Sequence, residues 1–390
     1  MGRLSERDVV GIIEHFEELP EPRSSVNRRH LLIDIIVISV CGVIAGADGP
    51  AAIERWAKLQ FEWLKKHLKL PHGIPAHDTI GRVLESLKPA AFQQCFAAWM
   101  ESLGEREPSD ECEPAENQAK LIAIDGKTLR RSHDRRKQLG PLHLVSAWAS
   151  DRGITLGQIA TAEKSNEITA IPELLDQLDV AGAIVTIDAA GCQKNIACKI
   201  INGKGDYVLA LKGNQGTLYA AAQDYLIDHM EDDFARISVS RLETNEKGHG
   251  RTEQRTYYQV TVPAELKGRR EWAGLKTIGV VIRHCKINGH ETTEVRYYIS
   301  SLRRNIKQFA RAVRQHWSIE NTLHWSLDMT FREDESRVRG RNVADNLAWL
   351  RRIALTLLKQ HTGKESLVMK RRMAGWSIDF LMQVLTGKAC

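Results

Sequence analysis

The chain has 390 residues, of which 43% are hydrophobic and 27% charged, and its net charge is +6. These values exclude a disordered chain and allow two or three domains with a substantial core. The modest positive charge permits a nucleic-acid partner without requiring one, so the placement of the charges has to decide.

The amino-terminal part has a helical pattern. Its most apolar run, LLIDIIVISVCGVIAGA at 31–47, has 17 residues and contains Asp34, which predicts a buried core helix rather than a membrane span. Seven cysteines without a CxxC spacing indicate neither a disulfide framework nor a zinc knuckle, and they favour a reducing compartment. We therefore expect a cytoplasmic protein with no membrane partner.

Helical spacing continues in PAAIERWAKLQFEWLKKHL, HDTIGRVLESL and PAAFQQCFAAWM, so residues 1–100 are predicted to form a small helical domain. Residues 101–118 follow as an acidic linker, with seven acids against one arginine between 101 and 117. In IPAHDTIGRVLESL a short turn precedes a helix whose Thr79 and Arg82 could face a DNA groove. An ordinary packed helix explains this segment equally well.

From residue 119 the pattern changes to strands. The runs LIAIDGKTL, LHLVSAWAS and ITLGQIATAE are followed by alternating helix and strand as far as DYVLALKG. This order predicts an α/β domain with a mixed sheet over 119–235. A β-rich insertion is predicted over 236–301, where YYQVTV, TIGVVIRHC and EVRYYISSL occur, and helices are predicted over 302–390.

Two aspartates follow apolar strands. Asp125 comes after LIAI and Asp188 after AIVTI, so each is predicted to lie where a buried strand ends. Two carboxylates at close range repel each other unless a cation neutralises them, and Mg²⁺ prefers such oxygen ligands. Each aspartate taken alone could instead be a turn residue, because Gly126 and the segment AAG follow them. The pair becomes informative only with a third acid.

The segment HWSIENTLHWSLDMTFREDESRVR supplies that third acid. Glu320 lies on a helix that should dock tightly, whereas Asp328 falls somewhat off its line and the acids at 333–335 fall near the helix end, where solvation is expected. The apolar contact of this helix is predicted to include Trp317, Ile319, Leu323 and Trp325.

Two other kinds of site are disfavoured. His316 and His324 flank Glu320 and could be zinc ligands, but HExxH is absent and no cysteine lies nearby. The GKT at 126–128 lacks the preceding glycine of a phosphate loop, since position 121 is Leu, so an NTPase is not expected.

Seven segments carry a resemblance to a known family. They are LPEPR...RRHLLIDIIVISVCGVIAGAD, IPAHDTIGRVLESL, IAIDGKTLRRS, DAAGCQKNIA, LALKGNQ, GHGRTEQR and HWSIENTLHWSLDMTFREDESRVR, and they occur in the family's order over nearly the whole chain. The chain resembles bacterial insertion-sequence transposases of the DDE superfamily, in the branch that includes the H-repeat-associated proteins.

The resemblance implies a ribonuclease-H-like core in which Asp125, Asp188 and Glu320 form the catalytic triad and hold two Mg²⁺ ions, with Mn²⁺ as a substitute. It also implies double-stranded DNA at element ends and target as the partner, and a homodimer in the DNA complex. The family's accessory Tyr, Arg and Lys fall here on Val313, His316 and Leu327, so a hairpin route is not carried over.

Basic residues on both sides of the acids are candidate DNA contacts, although a solvated charged face would have the same composition. The candidates are Lys127, Arg130, Arg131, Arg135, Arg136, Lys212, His316, Arg337, Arg339 and Arg341, together with Thr79 and Arg82. The expected function is metal-dependent cleavage and joining of DNA strands. The alternatives are a catalytically silent DNA-binding regulator and a nuclease that cuts without joining.

Overall fold

The computed structural model describes residues 7–26, 28–104, 119–134, 136–161, 167–248, 250–287 and 289–386. The predicted acidic linker therefore lies almost entirely outside the described residues, and so does Arg135.

The amino-terminal part of the chain is helical, as predicted. Residues 34–44 of the apolar run are all buried, and the Asp34 carboxylate accepts a hydrogen bond of 3.0 Å from the backbone N–H of Leu70. None of the described helices is both long and apolar enough to cross a membrane. The helices are α1 (Arg7–Phe16), α2 (Leu32–Ile44), α3 (Pro50–Leu59), α4 (Phe61–His67), α5 (His77–Ser86) and α6 (Pro89–Gly104).

A mixed sheet of nine strands forms the centre of the described structure, in the order β3-β2-β1-β4-β5-β9-β8-β7-β6. The strands are β1 (Leu121–Leu129), β2 (Leu142–Ala149), β3 (Ile154–Thr161), β4 (Ile184–Ile187), β5 (Asp206–Leu211), β6 (Val239–Gly248), β7 (Arg251–Thr261), β8 (Thr277–Ile287) and β9 (His290–Ser300). Strands β1 to β3 pair antiparallel, while β1, β4 and β5 pair parallel. This is the arrangement of a ribonuclease-H-like core.

The β-rich insertion continues this sheet. Its last strand, β9, pairs antiparallel with β5, so the four insertion strands extend the core sheet beyond its edge. The predicted runs correspond to β7, β8 and β9. Strand β6 was not predicted, because its sequence VSRLETNEKG is polar and its residues are exposed or half-buried.

The remaining helices cover the two faces of the sheet. On one face, the side chains of Ile122 and Ile124 share a core with α7 (Glu167–Asp176), α8 (Lys194–Asn202) and α9 (Gly216–Glu231). On the other face, Leu121 and Leu129 contact α10 (Ile306–His316) and α12 (Arg341–Gln360) respectively. Because side chains alternate along a strand, Asp125 and Lys127 belong to this second face.

A separate helical core joins the two ends of the chain. It contains buried residues of α2, α5 and α6 together with residues of α11 (Trp325–Phe331), α12 and α14 (Ile378–Thr386), and α13 (Leu367–Trp376) packs beside them. Trp349 of α12 meets Phe96 of α6 edge to face, with ring centroids 5.4 Å apart. The amino-terminal helices are therefore packed against the carboxy-terminal ones.

Two predictions about the segment after residue 316 are wrong. Glu333 is not solvated: its side chain is 0% exposed and forms an ion pair of 3.1 Å with Arg352, which is equally buried. Trp325 is not part of the buried contact, since it is 59% exposed, whereas Ile319 and Leu323 are fully buried as expected. A distant partner on α12 stabilises the buried carboxylate, and no local pattern reveals that partner.

Candidate active site

The register of β1 and β4 places two of the predicted acids side by side. Ile124 pairs with Ile187 across the parallel strands, so Asp125 and Asp188 are the next residues at the same level. The prediction that Asp125 ends its strand is wrong, because β1 continues to Leu129 through its pairing with β2. Only the pairing with β4 stops there, and this leaves the Asp125 side chain beside the end of β4.

Asp188 has a structural role that is compatible with a functional one. Its Oδ1 accepts hydrogen bonds from the backbone N–H groups of Ala190 and Gly191, at 3.0 and 3.2 Å. The turn is tight, since a β-carbon at Gly191 would collide with the side chain of Ile187. The turn residue expected from the sequence is thus also a carboxylate fixed at the strand end.

Glu320 lies on a π-helical segment, Ile319–His324, between α10 and α11. Single π-helical turns within longer helices are frequent at functional sites. Glu320 and Asp188 line one cavity of about 350 Å³, which β4, β5, β9 and α10 enclose. The third predicted acid is therefore brought to the same side of the sheet as the first two.

The pKa values of Asp125 and Glu320 are both raised. Burial raises the pKa of Asp125 to about 7, and the charges of Asp188 and Glu320 add to this effect. Burial also raises the pKa of Glu320, which the Arg296 guanidinium opposes and Asp188 reinforces. Although Glu320 is exposed, the surrounding atoms of the cavity remove part of the water from its carboxylate. A nearby cation would relieve this repulsion.

Two histidines contact the candidate site, His316 at the end of α10 and His324 at the end of the π-helical segment. The Nδ1 of His316 lies 3.0 Å from the Thr186 hydroxyl, and the Nδ1 of His324 lies 3.6 Å from the Oδ2 of Asp125. Burial lowers the pKa of His316 to about 4 and that of His324 to about 3, so both rings are neutral near pH 7. His316 can therefore offer a phosphate a hydrogen bond but no positive charge.

Lys127 is held by carboxylates. Its ammonium lies 2.6 Å from Asp328 and 3.3 Å from Asp334, and only 8% of the side chain is exposed. Asp328 belongs to α11, the helix that follows Glu320, so this ion pair joins the strand of Asp125 to the helix after Glu320. These carboxylates already balance the charge of Lys127, so it is not a free charge for a DNA phosphate.

The two predicted basic segments lie next to each other. Arg131 and Arg136 are exposed in the turn between β1 and β2, while Arg130 pairs with Asp334 at 3.2 Å. Arg341 donates a hydrogen bond of 2.9 Å to the carbonyl of Gly140, at the end of the same turn. Arg337 and Arg339, just before Arg341, are exposed.

The cavity that Asp188 and Glu320 line contains two of the predicted contacts, Lys212 and His316, and one arginine that the sequence did not indicate. Lys212, at the end of β5, lines the cavity with Asp188 and Glu320. Arg296 of β9 lines it too, and its guanidinium lies 4.2 Å from the Trp317 ring centroid. Arg296 could not be found from the sequence, because its position depends on the pairing of β9 with β5. Thr79 and Arg82 are on α5, outside this cavity.

The donor chemistry of the three acids fits Mg²⁺. They offer carboxylate oxygens only, and Mg²⁺ is commonly held by one or two carboxylates while it keeps several waters and substrate phosphates. Over the described residues, no three His, Cys, Asp or Glu side chains are arranged as a complete metal-binding group. The fit to Mg²⁺ therefore rests on the chemistry of the donor atoms.

The comparisons with known proteins identify the family of the chain. The family model for the transposase DDE domain matches residues 116–357, and the model for its associated domain matches residues 13–100. The chain belongs to the DDE transposase family. Within that family, its place is with the H-repeat-associated transposases.

Relatives support this placement over the full length. The chain is 40% identical to "H repeat-associated putative transposase YhhI" of Escherichia coli (strain K12), with 96% of this chain and 98% of the relative covered. It is 39% identical to "Putative transposase YncI" of Escherichia coli O157:H7, with 97% and 95% covered. A cryo-EM structure of the piggyBac transposase synaptic complex with hairpin DNA covers 97% of this chain and 78% of its own, at 10% identity and a TM-score of 0.39, too low to bear on the site.

Proposed function

We propose that the protein cleaves DNA strands at the ends of an insertion sequence and joins them to a target, with Asp125, Asp188 and Glu320 as the catalytic carboxylates. The observation that carries the proposal is the convergence of these acids from β1, the end of β4 and the π-helical segment. Burial and mutual repulsion raise the pKa of Asp125 to about 7, which favours a cation between them.

The residues of the chain would orient the reacting groups. Asp188 is fixed by two backbone N–H groups, and Glu320 by the buried Ile319 and Leu323 on either side of it. Lys212 lines the cavity and would hold the phosphate under attack, while Arg296, which also lines it, contributes less because Glu294 already pairs with it at 2.7 Å. Bound Mg²⁺, or Mn²⁺ in its place, would activate a water or a 3′-hydroxyl and stabilise the leaving oxygen.

Double-stranded DNA would lie across the neighbouring basic patch, which we define as Arg131, Arg136, Arg337, Arg339 and Arg341. Their guanidinium groups can neutralise backbone phosphates on the route to the cavity. Arg130 contributes less, because Asp334 already pairs with it. We further propose a homodimer that holds two element ends, to be tested by the mass of the protein–DNA complex.

The decisive experiment compares cleavage of labelled element ends in Mg²⁺ by wild type and by Asp125→Asn, Asp188→Asn and Glu320→Gln. Each variant should lose cleavage by about 1,000-fold or more, because single catalytic groups commonly contribute this much. Each should retain its fold and most of its DNA affinity. Full cleavage by any one of them would remove that residue from the triad.

The same assay separates the alternatives. Asp328→Asn is the matched control, since it removes one carboxylate charge from the same segment and should reduce cleavage far less. Target plasmid in the reaction reports joining: cleavage without joined product would identify a nuclease. Binding of element ends with no cleavage by wild type would identify a regulator.

A further inference from the structure

A basic cavity lies on the amino-terminal helices, in addition to the catalytic one. Its volume is about 720 Å³, and it opens between residues 23–30 and the helix α5. No described lining residue carries a carboxylate, so the lining itself contains no negative charge to balance its arginines. The polar and charged lining residues are Arg23, Ser24, Arg28, Arg29, His30, Thr79, Arg82 and Ser86.

Several guanidinium groups in this cleft keep their charge unbalanced. Arg28 donates to the carbonyls of Ser24 and Arg23, at 2.9 and 2.7 Å, and Arg82 donates to the carbonyl of Asp78 at 3.2 Å. These partners orient a guanidinium without neutralising it. Arg23 differs, because Glu21 pairs with it at 2.7 Å. Arg28 and Arg29 are exposed and can meet a polyanion.

The helix α5 presents one face to the cleft and is anchored through another. Thr79, Arg82 and Ser86 are three and four residues apart, so they share one side, while Ile80 and Leu84 are buried. A second anchor fixes the end of α5 on the beginning of α12. There the Glu85 carboxylate accepts a hydrogen bond of 3.0 Å from the backbone N–H of Val343. The backbone carbonyl of Glu85 accepts one of 2.9 Å from the side-chain amide of Asn342.

These anchors connect the cleft to the basic patch. Val343 follows Arg337, Arg339 and Arg341 closely in the chain, so α5 is fixed next to the segment that carries them. Among the described residues that line the cleft there is no Phe, Tyr or Trp, which disfavours stacking of unpaired bases. Several unpaired positive charges beside a polar helix face suit the phosphates of a duplex instead.

We infer that this cleft is a second DNA-binding site, in which Arg28 and Arg29 hold backbone phosphates of double-stranded DNA while Thr79 and Ser86 lie towards a groove. The inference rests on the proposed function for its biological setting, because it makes the cleft the place where duplex DNA is held away from the catalytic cavity. The cleft takes no part in the chemistry.

The test measures binding to a labelled duplex of random sequence, in EDTA, so that no cleavage can occur. Arg28→Ala/Arg29→Ala in the full chain should lower the affinity about tenfold at moderate salt and reduce the salt slope by about two. The matched control is Arg55→Ala/Lys66→Ala, which removes two exposed charges from α3 and α4, outside the cleft. Equal behaviour of the two double variants would overturn the inference.

A second double variant and a second DNA substrate distinguish the remaining outcomes. Arg28→Gln/Arg29→Gln repeats the test if the alanine variant does not fold, as judged by circular dichroism. A larger loss with single-stranded than with duplex DNA would overturn the inference in favour of a single-strand site. Because binding is measured without catalysis, a wild type that never cleaves would refute the proposed chemistry and leave the cleft result unaffected.

Discussion

At the scale of single residues, the ionisation of Asp125 makes the stability of the fold depend on pH. Its carboxyl has a pKa of about 7 in the folded chain, raised chiefly by burial, whereas aspartate in an unfolded chain titrates at about 3.9. Between these values the folded state keeps a proton that the unfolded state has lost. The free energy of unfolding should therefore fall as the pH rises from about 4 to about 7, and the Asp125 contribution should be constant above that.

We predict that Asp125→Asn removes this contribution. In EDTA, the variant should gain stability relative to wild type between pH 4 and pH 8, by on the order of 1–3 kcal/mol. Urea unfolding followed by circular dichroism measures the difference. Mg²⁺ at pH 8 should stabilise wild type more than the variant, because the cation favours the ionised carboxylate. Identical pH profiles for the two proteins would contradict the prediction.

Lys127 should act by positioning rather than by binding DNA. Lys127→Met removes the ammonium that joins β1 to Asp328 of α11. We expect cleavage to fall by about tenfold to a hundredfold because the acids shift relative to each other, and stability to fall by about 1–3 kcal/mol. The dependence of DNA affinity on salt should not change.

The basic patch supplies the comparison for Lys127. Arg131→Ala/Arg136→Ala changes two exposed arginines of the patch, and its salt slope should fall by about two with random and specific DNA alike. A fall of about one unit for Lys127→Met would show instead that Lys127 contacts a phosphate.

At the scale of elements, a buried ion pair fixes the segment after α11. The carboxylate of Glu333 lies 3.1 Å from Arg352 of α12, and both side chains are 0% exposed. Glu333→Gln leaves the guanidinium without its counter-charge in the interior, so it should cost about 3–5 kcal/mol of unfolding free energy. Chemical denaturation measures this loss.

Glu335 offers a matched control two residues away. It is exposed and pairs with Arg332, so Glu335→Gln makes the same chemical change at the surface and should leave the stability unchanged. Equal effects of the two substitutions would show that the Glu333 pair is not specifically stabilising.

The elements differ in how well the sequence predicts them. Apolar runs such as LIAI and AIVTI predict β1 and β4, because a strand buried on both faces needs apolar residues throughout. Strand β6 escapes prediction because it pairs at the edge of the sheet with polar residues. The π-helical segment is not predicted either. Its wider turn depends on packing against residues far away in the chain, and no local sequence pattern specifies it.

At the scale of the whole molecule, the two ends of the chain stabilise each other. Trp349 of α12 is 1% exposed and contacts Phe96 of α6, so Trp349→Ala should cost about 3–5 kcal/mol. Hydrogen exchange should show faster exchange in α6 as well as in α12. Trp376→Ala is the control, because Trp376 is 73% exposed and its loss should matter by less than about 0.5 kcal/mol.

The global arrangement shows where prediction from sequence stops. The alternation of helix and strand from residue 119 indicates the mixed sheet, and the triad follows from the family resemblance together with the apolar strands. That β9 would extend the sheet beside β5 depends on pairing between residues about 90 positions apart, such as Val208 with Ser300. Arg296 lines the cavity of Asp188 and Glu320 because of this pairing, so its place could not be predicted.

The π-helical segment around Glu320 also connects two helices that pack into different hydrophobic cores. Before it, Phe309 and Val313 pack against the sheet, and after it, Leu327 and Phe331 pack into the helical core. Each residue of an α-helix turns the chain by about 100°, so deleting one residue from Ile319–His324 would rotate one of these faces out of its core. Packing on both sides therefore constrains the number of residues in this segment, and that number sets the position of Glu320 between the two cores.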